Sequence, residues 1–357
     1  MSMKIKSLPA HDGDCFIITF GEGEDIKNII IDGGRRKPVL KRLKEELHFI
    51  QGKNQSVDLL IVTHIDEDHI QGILKLFEDD KVDKSIFKQV WFNSKENLTS
   101  FFDGEEKQDE RLLIEDKSNG NISYKQGISF GKLLHNLNLT SFKLITAGEK
   151  LEIGGAVIKV LSPEENALNR LHKDWEKEFP SEIIDGENVS DNDSRDYKES
   201  IGNLMKNRFK EDRDIANGSS IVVSIEYQKK KLLMLADSFP SVVLRNICKL
   251  YPDEKDRNFD LIKIAHHGSK FNTNDELFNF IKCKRYIVST NGKTHGFPTK
   301  EALARIIVSS FNHSASKTSI YFNYPQIFES MFCQEEMIKY NFECVNLGNN
   351  TDDFLEV

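Results

Sequence analysis

Four potential metal ligands stand within six residues of this chain: His64, Asp66, Asp68 and His69. They follow directly on Leu59-Leu60-Ile61-Val62, an apolar run that reads as a buried strand. Ligands crowded just past the end of a buried strand imply a site built on a rigid platform. Two imidazoles and two carboxylates suit zinc, manganese or iron better than calcium, which prefers all-oxygen cages. The four do not easily share one ion. On a loop running into a helix, His64 and Asp66 point to one position and Asp68 and His69 to a neighbouring one, so two ions fit roughly 3.5–4 Å apart. Such a pair needs a bridging anion and a closing ligand from elsewhere in the chain.

The rest of the chain supplies candidates for both. Strands are expected at 16–20 and 29–32, joined by a turn at 21–25, then at 58–63 and 89–93. Val39, Leu40, Leu43, Leu47 and Ile50 recur at helical spacing, and Ile73, Leu76 and Phe77 mark a short helix after the ligand cluster. Residues 94–125 are polar and read as loop, with a helix near 130–137. A hairpin is expected over 151–161, and strands at 220–227, 232–237, 261–265, 286–290 and 319–323. Helices are expected over 241–251, 299–309 and 326–340. Residues 164–216 are rich in charged and amide side chains and read as a polar insertion. Strands with interspersed helices in both halves predict two packed sheets with helices outside, one sheet from each half, within a single domain over 1–357. Several strands end on a polar residue: Asp32, His64, Asp237, His266 and Asn291. Converging strand ends are where layered folds build sites.

Asp237 follows a strongly apolar strand, where a carboxylate is costly unless it meets a metal or a cation, so it is the best candidate bridge. Its alternative is to cap the helix expected over 241–251. His266 and His267 offer the closing imidazole. His266 is assigned to the metal because it stands nearer the strand end, which leaves His267 to touch substrate or bond locally. His295, on the loop 291–298, is placed as a substrate contact or proton shuttle. The remaining histidines, His11, His48, His135, His172 and His313, carry no site signal. A water between two such ions would be acidified to a pKa of about 7, which makes Asp68 and the ligands around it the catalytic centre of a hydrolase.

Composition limits the alternatives. A net charge of -8 gives no bulk attraction to nucleic acid or to acidic membranes, although two divalent ions would be a strong local positive charge. Five scattered cysteines with no C-x-x-C spacing argue against a cysteine-bound metal and for a reducing, cytoplasmic setting. The N-terminus lacks the apolar stretch of a signal peptide, and no apolar run approaches the length of a membrane span.

In these residues the chain resembles the metallo-β-lactamase superfamily. Its T-H-x-H-x-D-H pattern is matched by Thr63-His64-Ile65-Asp66-Glu67-Asp68-His69, with Asp66 where the second histidine usually stands. That variant is similar to the branch containing the metallo-β-lactamase domain of ComEC competence proteins and pneumococcal phosphorylcholine esterases. Gly13-Asp14-Cys15, Ile31-Asp32-Gly33-Gly34, Asn217-Gly218-Ser219-Ser220, Leu235-Ala236-Asp237-Ser238 and Lys263-Ile264-Ala265-His266-His267-Gly268-Ser269 match further stretches of that branch in order, with Ala236 replacing a common glycine. The resemblance covers about residues 4–300, less the insertion.

It implies an αββα sandwich holding two divalent metals, usually zinc and sometimes manganese, and a phosphodiesterase or nuclease activity. Asp32 would orient a ligand or the ligand loop. Many relatives add a histidine from a middle motif; His135 and His172 follow no strand signal and do not match it. With Asp66 also replacing a histidine, the first metal position is expected to be poorer in nitrogen and more open, which would weaken its affinity, shift it toward manganese or leave it for substrate. The expected substrate is a phosphodiester, in nucleic acid or a nucleotide. The alternatives are hydrolysis of an ester, thioester or lactam, or a component of a bacterial phage-defence system gated by a protein partner, with 164–216 as the candidate docking element.

Overall fold

The computed structural model describes residues 3–104, 122–140, 143–177, 195–348 and 354–357. Its first sheet contains β1 (Lys4–Ser7), β2 (Phe16–Phe20), β3 (Lys27–Ile31), β4 (Leu59–Ile61) and β5 (Val90–Trp91). The second contains β6 (Lys150–Ile153), β7 (Ala156–Ser162), β8 (Val222–Tyr227), β9 (Lys230–Met234), β10 (Leu261–Lys263), β11 (Arg285–Val288), β12 (Thr318–Phe322) and β13 (Phe342–Asn346). A last strand, β14 (Leu355–Glu356), returns to the first sheet. Strand order is β14-β1-β2-β3-β4-β5 in one sheet and β13-β12-β11-β10-β9-β8-β7-β6 in the other.

Period-2 alternation assigns each strand residue to a layer. Phe16, Ile18 and Phe20 of β2, Ile29 and Ile31 of β3 and Leu59 and Ile61 of β4 pack in one cluster with Ile158, Val160, Val223, Ile225, Leu232 and Met234 of the second sheet. That cluster is the layer between the sheets. The intervening Ile17, Ile30 and Leu60 face outward into a second cluster, under α1 (Lys37–Gly52) and α2 (Glu67–Glu78). Four more helices lie along that half: α3 (Lys95–Asp103), α4 (Ile122–Asn136), α5 (Glu165–Trp175) and, further on, α7 (Ile215–Gly218). The outer face of the second sheet is covered by α6 (Ile201–Leu204), α8 (Pro240–Leu250), α9 (Asp275–Phe280) and α10 (Lys300–His313), with α11 (Gln334–Lys339) before the last strands. Helix, sheet, sheet, helix is the αββα sandwich expected from the sequence.

Three expectations differ from the structure. Residues 94–104 are not loop: Ser94 accepts a hydrogen bond from the Asn97 amide and starts α3. The described ends of the segment read as a polar insertion are packed. Leu168, Leu171 and Trp175 recur at spacings of three and four along α5 and bury in the first outer cluster, while Ile201 and Leu204 bury in the second. Residues 178–194 of that segment, and 105–121 of the other, lie outside the described residues. The helix expected over 326–340 is a short 3-10 turn at Pro325–Ile327 followed by α11. Among the described residues no helix is long and apolar enough to cross a membrane.

The register of the strands places the candidate ligands along one edge. β3 and β4 are parallel, with Ile31 opposite Ile61, so Asp32 stands beside Thr63. α2 then crosses close over the β3 end. The Gly33 amide donates to His69 O and the Gly72 amide to Gly34 O. A Cβ on Gly72 would lie 2.0 Å from Gly33 O, so only glycine permits this approach. In the second sheet β9, β10 and β11 are parallel, with Met234 opposite Lys263 and Lys263 opposite Ile287. The ends of β3, β4, β9, β10 and β11 therefore open on one edge of the sandwich.

Candidate metal centre

Each imidazole of the centre is oriented by a bond from its Nδ1. His69 Nδ1 donates to Asp32 Oδ2 at 2.8 Å, and His267 Nδ1 donates to Ser289 O at 2.8 Å. His266 Nδ1 lies 2.9 Å from Asn272 Oδ1 and donates to it. His64 Nδ1 lies 3.0 Å from Thr63 Oγ1, whose own proton goes to Asp32 Oδ2 at 2.8 Å, so here too Nδ1 is the donor. In all four rings the proton is held at Nδ1 and Nε2 faces the centre. Such outward bonds fix both tautomer and ring plane in metal-binding histidines. Asp32 is buried and also accepts from the Thr63 amide at 2.8 Å, so one carboxylate holds both ends of the ligand segment.

The four Nε2 atoms surround one oxygen. Asp237 Oδ2 stands 3.3 Å from His69, 3.6 Å from His267, 3.7 Å from His266 and 4.0 Å from His64. Asp68 Oδ2 is 3.2 Å from His267 Nε2 and 3.8 Å from His69 Nε2, and Asp66 Oδ2 is 3.4 Å from His64 Nε2. Ligand atoms of His64, His69 and Asp237 lie within 4.8 Å of one another, as do those of Asp68, His69 and His267. Yet Nε2 of His64, of His69 and of His267, and Oδ1 of Asp237, are buried and make no hydrogen bond. Atoms bound 2.0–2.1 Å from a tetrahedral zinc stand about 3.3–3.4 Å apart, close to the 3.3 Å between His69 and Asp237 and the 3.4 Å between His64 and Asp66. The residues therefore fit divalent cations.

The electrostatics agree. Burial opposes ionisation of Asp68 and of Asp237, but the adjacent imidazoles outweigh it, and both carboxyls sit well below the usual range. Burial likewise opposes the cations of His69 and His267, and the carboxylates around them outweigh it and raise both. His64 goes the other way: burial, then the charge of His69, pushes it down to about 4. Nearby, burial and the charge of Asp66 lift Asp214 to about 7. Negative charge is in excess here, and divalent cations would balance it.

The eight residues expected at strand ends or on the ligand segment, Asp32, His64, Asp66, Asp68, His69, Asp237, His266 and His267, are brought together. His295 is exposed at the mouth of the same cleft, on a left-handed residue with φ 55°. The cleft has a volume of about 160 Å³, and Arg35, Thr294 and Phe297 also line it. Arg35 Nε donates to Asp12 Oδ1 at 2.9 Å and Thr294 Oγ1 to Asp12 Oδ2 at 2.7 Å, which ties the 291–298 loop to the start of the chain. His135 is exposed on α4, and His172 stacks on Phe102 with its Nε2 3.3 Å from Asp103, so neither joins the centre. Ala236, in the place of a common glycine, has φ 45°, the left-handed region that glycine adopts freely.

Sequence reasoning missed the floor of the site. Lys263 is fully buried on β10 and pairs with buried Asp14. Its Nζ lies 4.0 Å from Asp237 Oδ1, and Asp14 Oδ1 lies 3.6 Å from His267 Nδ1. A lysine inside the apolar alternation of β10 is the signal that marks this pair. Gly13 lets the Asp14 loop pass beneath Asp68: a Cβ there would lie 1.9 Å from Asp68 O. Gly13→Ala is expected to destabilise the protein by roughly 2–3 kcal/mol, because the clash is with backbone that cannot rotate away. Urea denaturation measures this, and a loss below about 0.5 kcal/mol would show that the loop has slack.

No protein-family model matches the sequence, and no curated protein is similar to it. Among solved structures, the metallo-beta-lactamase fold protein YhfI from Bacillus subtilis aligns over 97% of this chain and 96% of its own, at 10% identity and a TM-score of 0.39. CmlA, a diiron beta-hydroxylase from Streptomyces venezuelae, aligns over 100% of this chain at 10% identity and a TM-score of 0.39. The match spans 54% of CmlA's length. Zn(2+)-bound PqqB from Methylobacterium extorquens aligns over 92% of this chain and 84% of its own, at 11% identity and a TM-score of 0.39.

Proposed function

We propose that this chain is a metallo-β-lactamase-superfamily hydrolase that cleaves phosphodiesters at a dinuclear metal centre. The observation that carries the reading is the set of buried Nε2 atoms turned on Asp237 Oδ2 with no hydrogen bond to satisfy three of them. A purely structural cluster of this burial would be internally bonded, since orphaned polar groups each cost about 1–3 kcal/mol.

His64 and Asp66 would hold one ion and Asp68, His69 and His267 the other, with Asp237 within reach of both. This exchanges the two adjacent histidines relative to the expectation from strand position. His267 Nε2 lies 3.2 Å from Asp68, whereas His266 Nε2 comes near only Asp237, at 3.7 Å. His266 instead lines the cleft, beside Phe297. Zinc suits the nitrogen-rich second position, and manganese is the alternative in the first. Divalent ions bound there would activate water and polarise a phosphoryl oxygen.

The protein's own groups prepare that chemistry. Asp32, Thr63 and Ser289 hold the imidazole protons at Nδ1 and so present lone pairs inward. The Asp12–Arg35–Thr294 linkage fixes one wall of the cleft. His266 and His295 line the cleft and are the imidazoles there that could give a leaving oxygen its proton. The cleft is otherwise lined by carboxylates, so an anionic substrate enters only when cations offset them.

The purified protein loaded with zinc or manganese is expected to hydrolyse bis-p-nitrophenyl phosphate and to leave p-nitrophenyl acetate largely untouched. The reverse preference would assign it to ester hydrolysis. A wild-type protein that binds no divalent metal by elemental analysis would remove the hydrolase reading altogether. Single- and double-stranded nucleic acid and cyclic nucleotides then divide the phosphodiester class.

A further inference from the structure

We infer that the lip of the cleft carrying Arg35, Arg36 and Lys293 is a subsite for a second phosphate, so that the substrate holds a further phosphate beside the one that is cleaved. The inference rests on the phosphodiesterase reading and says what its substrate contains besides the scissile linkage. A cyclic mononucleotide, with a single phosphate, leaves this subsite empty.

Three segments build the lip. Arg35 lines the cleft itself, and its Nε donates to Asp12 Oδ1 at 2.9 Å. Thr294 also lines the cleft, and its Oγ1 donates to Asp12 Oδ2 at 2.7 Å. His11 Nδ1 stands 3.3 Å from Asn291 Nδ2. The Gly34 backbone packs on Ala10, where a Cβ on Gly34 would lie 2.7 Å from Ala10 Cβ. Residues 10–12, 34–36 and 291–294 therefore lie together at the mouth. Arg36 and Lys293 are the chain neighbours of the two cleft-lining residues Arg35 and Thr294, and both are exposed. Their charges reach a common point. Burial first, then Arg36, Lys293 and Arg35, hold the His11 imidazole below its ordinary value against the opposing charge of Asp12.

The acidic groups at this lip do not cancel that field. Asp12 is buried against Arg35, and Glu67 lies 3.3 Å from Arg35 Nη1, so both carboxylates face the one guanidinium. Among the described residues Arg36 and Lys293 join no ion pair. Helix N-termini favour acidic side chains, yet α1, which begins at Lys37 directly after Arg36, has none in its first turn. In a chain of net charge -8, unbalanced cations at the mouth of a carboxylate-lined cleft need an anionic partner to account for them. The scissile phosphate belongs at the centre; an anion at the mouth meets Arg36 and Lys293 instead. Guanidinium and ammonium groups are strong donors to phosphate oxygens. Two sources offer such a phosphate: a terminal monoester on a short nucleotide, or the next linkage of a strand.

Equilibrium binding tests this without recourse to turnover. Thymidine oligonucleotides with phosphorothioate linkages, which resist cleavage, are titrated calorimetrically into the protein in the presence of Mn2+. The probes are a dinucleotide without a terminal phosphate, the same dinucleotide phosphorylated at one end or the other, and a trinucleotide. Wild type is expected to bind a probe with the extra phosphate about tenfold more tightly than the plain dinucleotide, with the preference shrinking as salt is raised. Tighter binding of a phosphorylated dinucleotide alone assigns a terminal monoester, and tighter binding of the trinucleotide assigns a strand. Arg36→Gln and Lys293→Gln together are expected to abolish the preference, and Arg36→Lys with Lys293→Arg to keep most of it. A loss of folding or of the centre weakens all probes alike and leaves the preference unchanged. Equal wild-type affinity for every probe, or no binding of any, overturns the inference, as does a preference that survives the double glutamine variant. Should that variant not fold by circular dichroism, Lys293→Glu decides by the same readout. Failure of wild type to hydrolyse bis-p-nitrophenyl phosphate removes the hydrolase reading instead, and the binding preference is read independently of it.

Discussion

Alanine at Asp68 or at His69 is expected to leave a folded protein whose phosphodiester hydrolysis has fallen roughly a thousandfold or more. Both side chains belong to the proposed second position, where Asp68 Oδ2, His267 Nε2 and His69 Nε2 converge. His69→Ala also frees Asp32, but Asp32 still accepts two bonds from Thr63, so the ligand segment keeps its anchor. In the metal-free state Asp68→Ala removes a carboxylate whose charge His69 and His267 favour, so some stability is lost with it. Both variants are expected to fold, to unfold below the wild-type midpoint when no metal is present, and to lose much of the stabilisation that added zinc gives wild type. Thermal unfolding with and without metal, beside turnover on bis-p-nitrophenyl phosphate, measures both. Either variant turning over at the wild-type rate would falsify the assignment of the second position.

Lys263→Met is expected to cost about 3–5 kcal/mol of stability in the metal-free protein, the largest effect of any substitution away from the ligands. Methionine nearly matches the volume of the aliphatic stem, so the loss comes from the charge. Lys263 is fully buried and its partner Asp14 is 2% exposed, so Asp14 would be left as an interior carboxylate without its cation, and Asp237 would lose the ammonium 4.0 Å from its Oδ1. Adding Asp14→Leu to Lys263→Met removes the stranded charge and should recover most of the loss. The double variant is nevertheless expected to bind metal less well, because Asp14 also stands beside His267 and its amide donates to Asp68 O at 3.3 Å. Urea denaturation of the single and double variants closes the cycle. A single variant within 1 kcal/mol of wild type would mean that water reaches this pair.

Much of the architecture could be read from patterning alone. Runs such as Phe16–Phe20 and Leu59–Ile61 are short, apolar and bounded by turn residues, and local burial on both faces leaves few other structures for them. The ends of those runs carried Asp32, His64 and Asp237 because a strand end is where a polar group can leave the core. What escaped was information that is not local. Leu168, Leu171 and Trp175 carried a helical period, but it was masked by the charged residues between them. Lys263 looked like one charge in a strand until the fold set Asp14 against it.

The sequence by itself determined the candidate ligands and their grouping: His64, Asp66, Asp68 and His69 are neighbours in any fold that puts a strand before them and a helix after. Tertiary structure decided which atoms meet. His266 and His267 are adjacent, both with left-handed backbone, at φ 42° and 53°, and only the packing of β11 against β10 offers Ser289 O to one and leaves Asn272 to the other. Ring orientation depends on what lies beyond the ring, often far along the chain, and spacing carries no record of that.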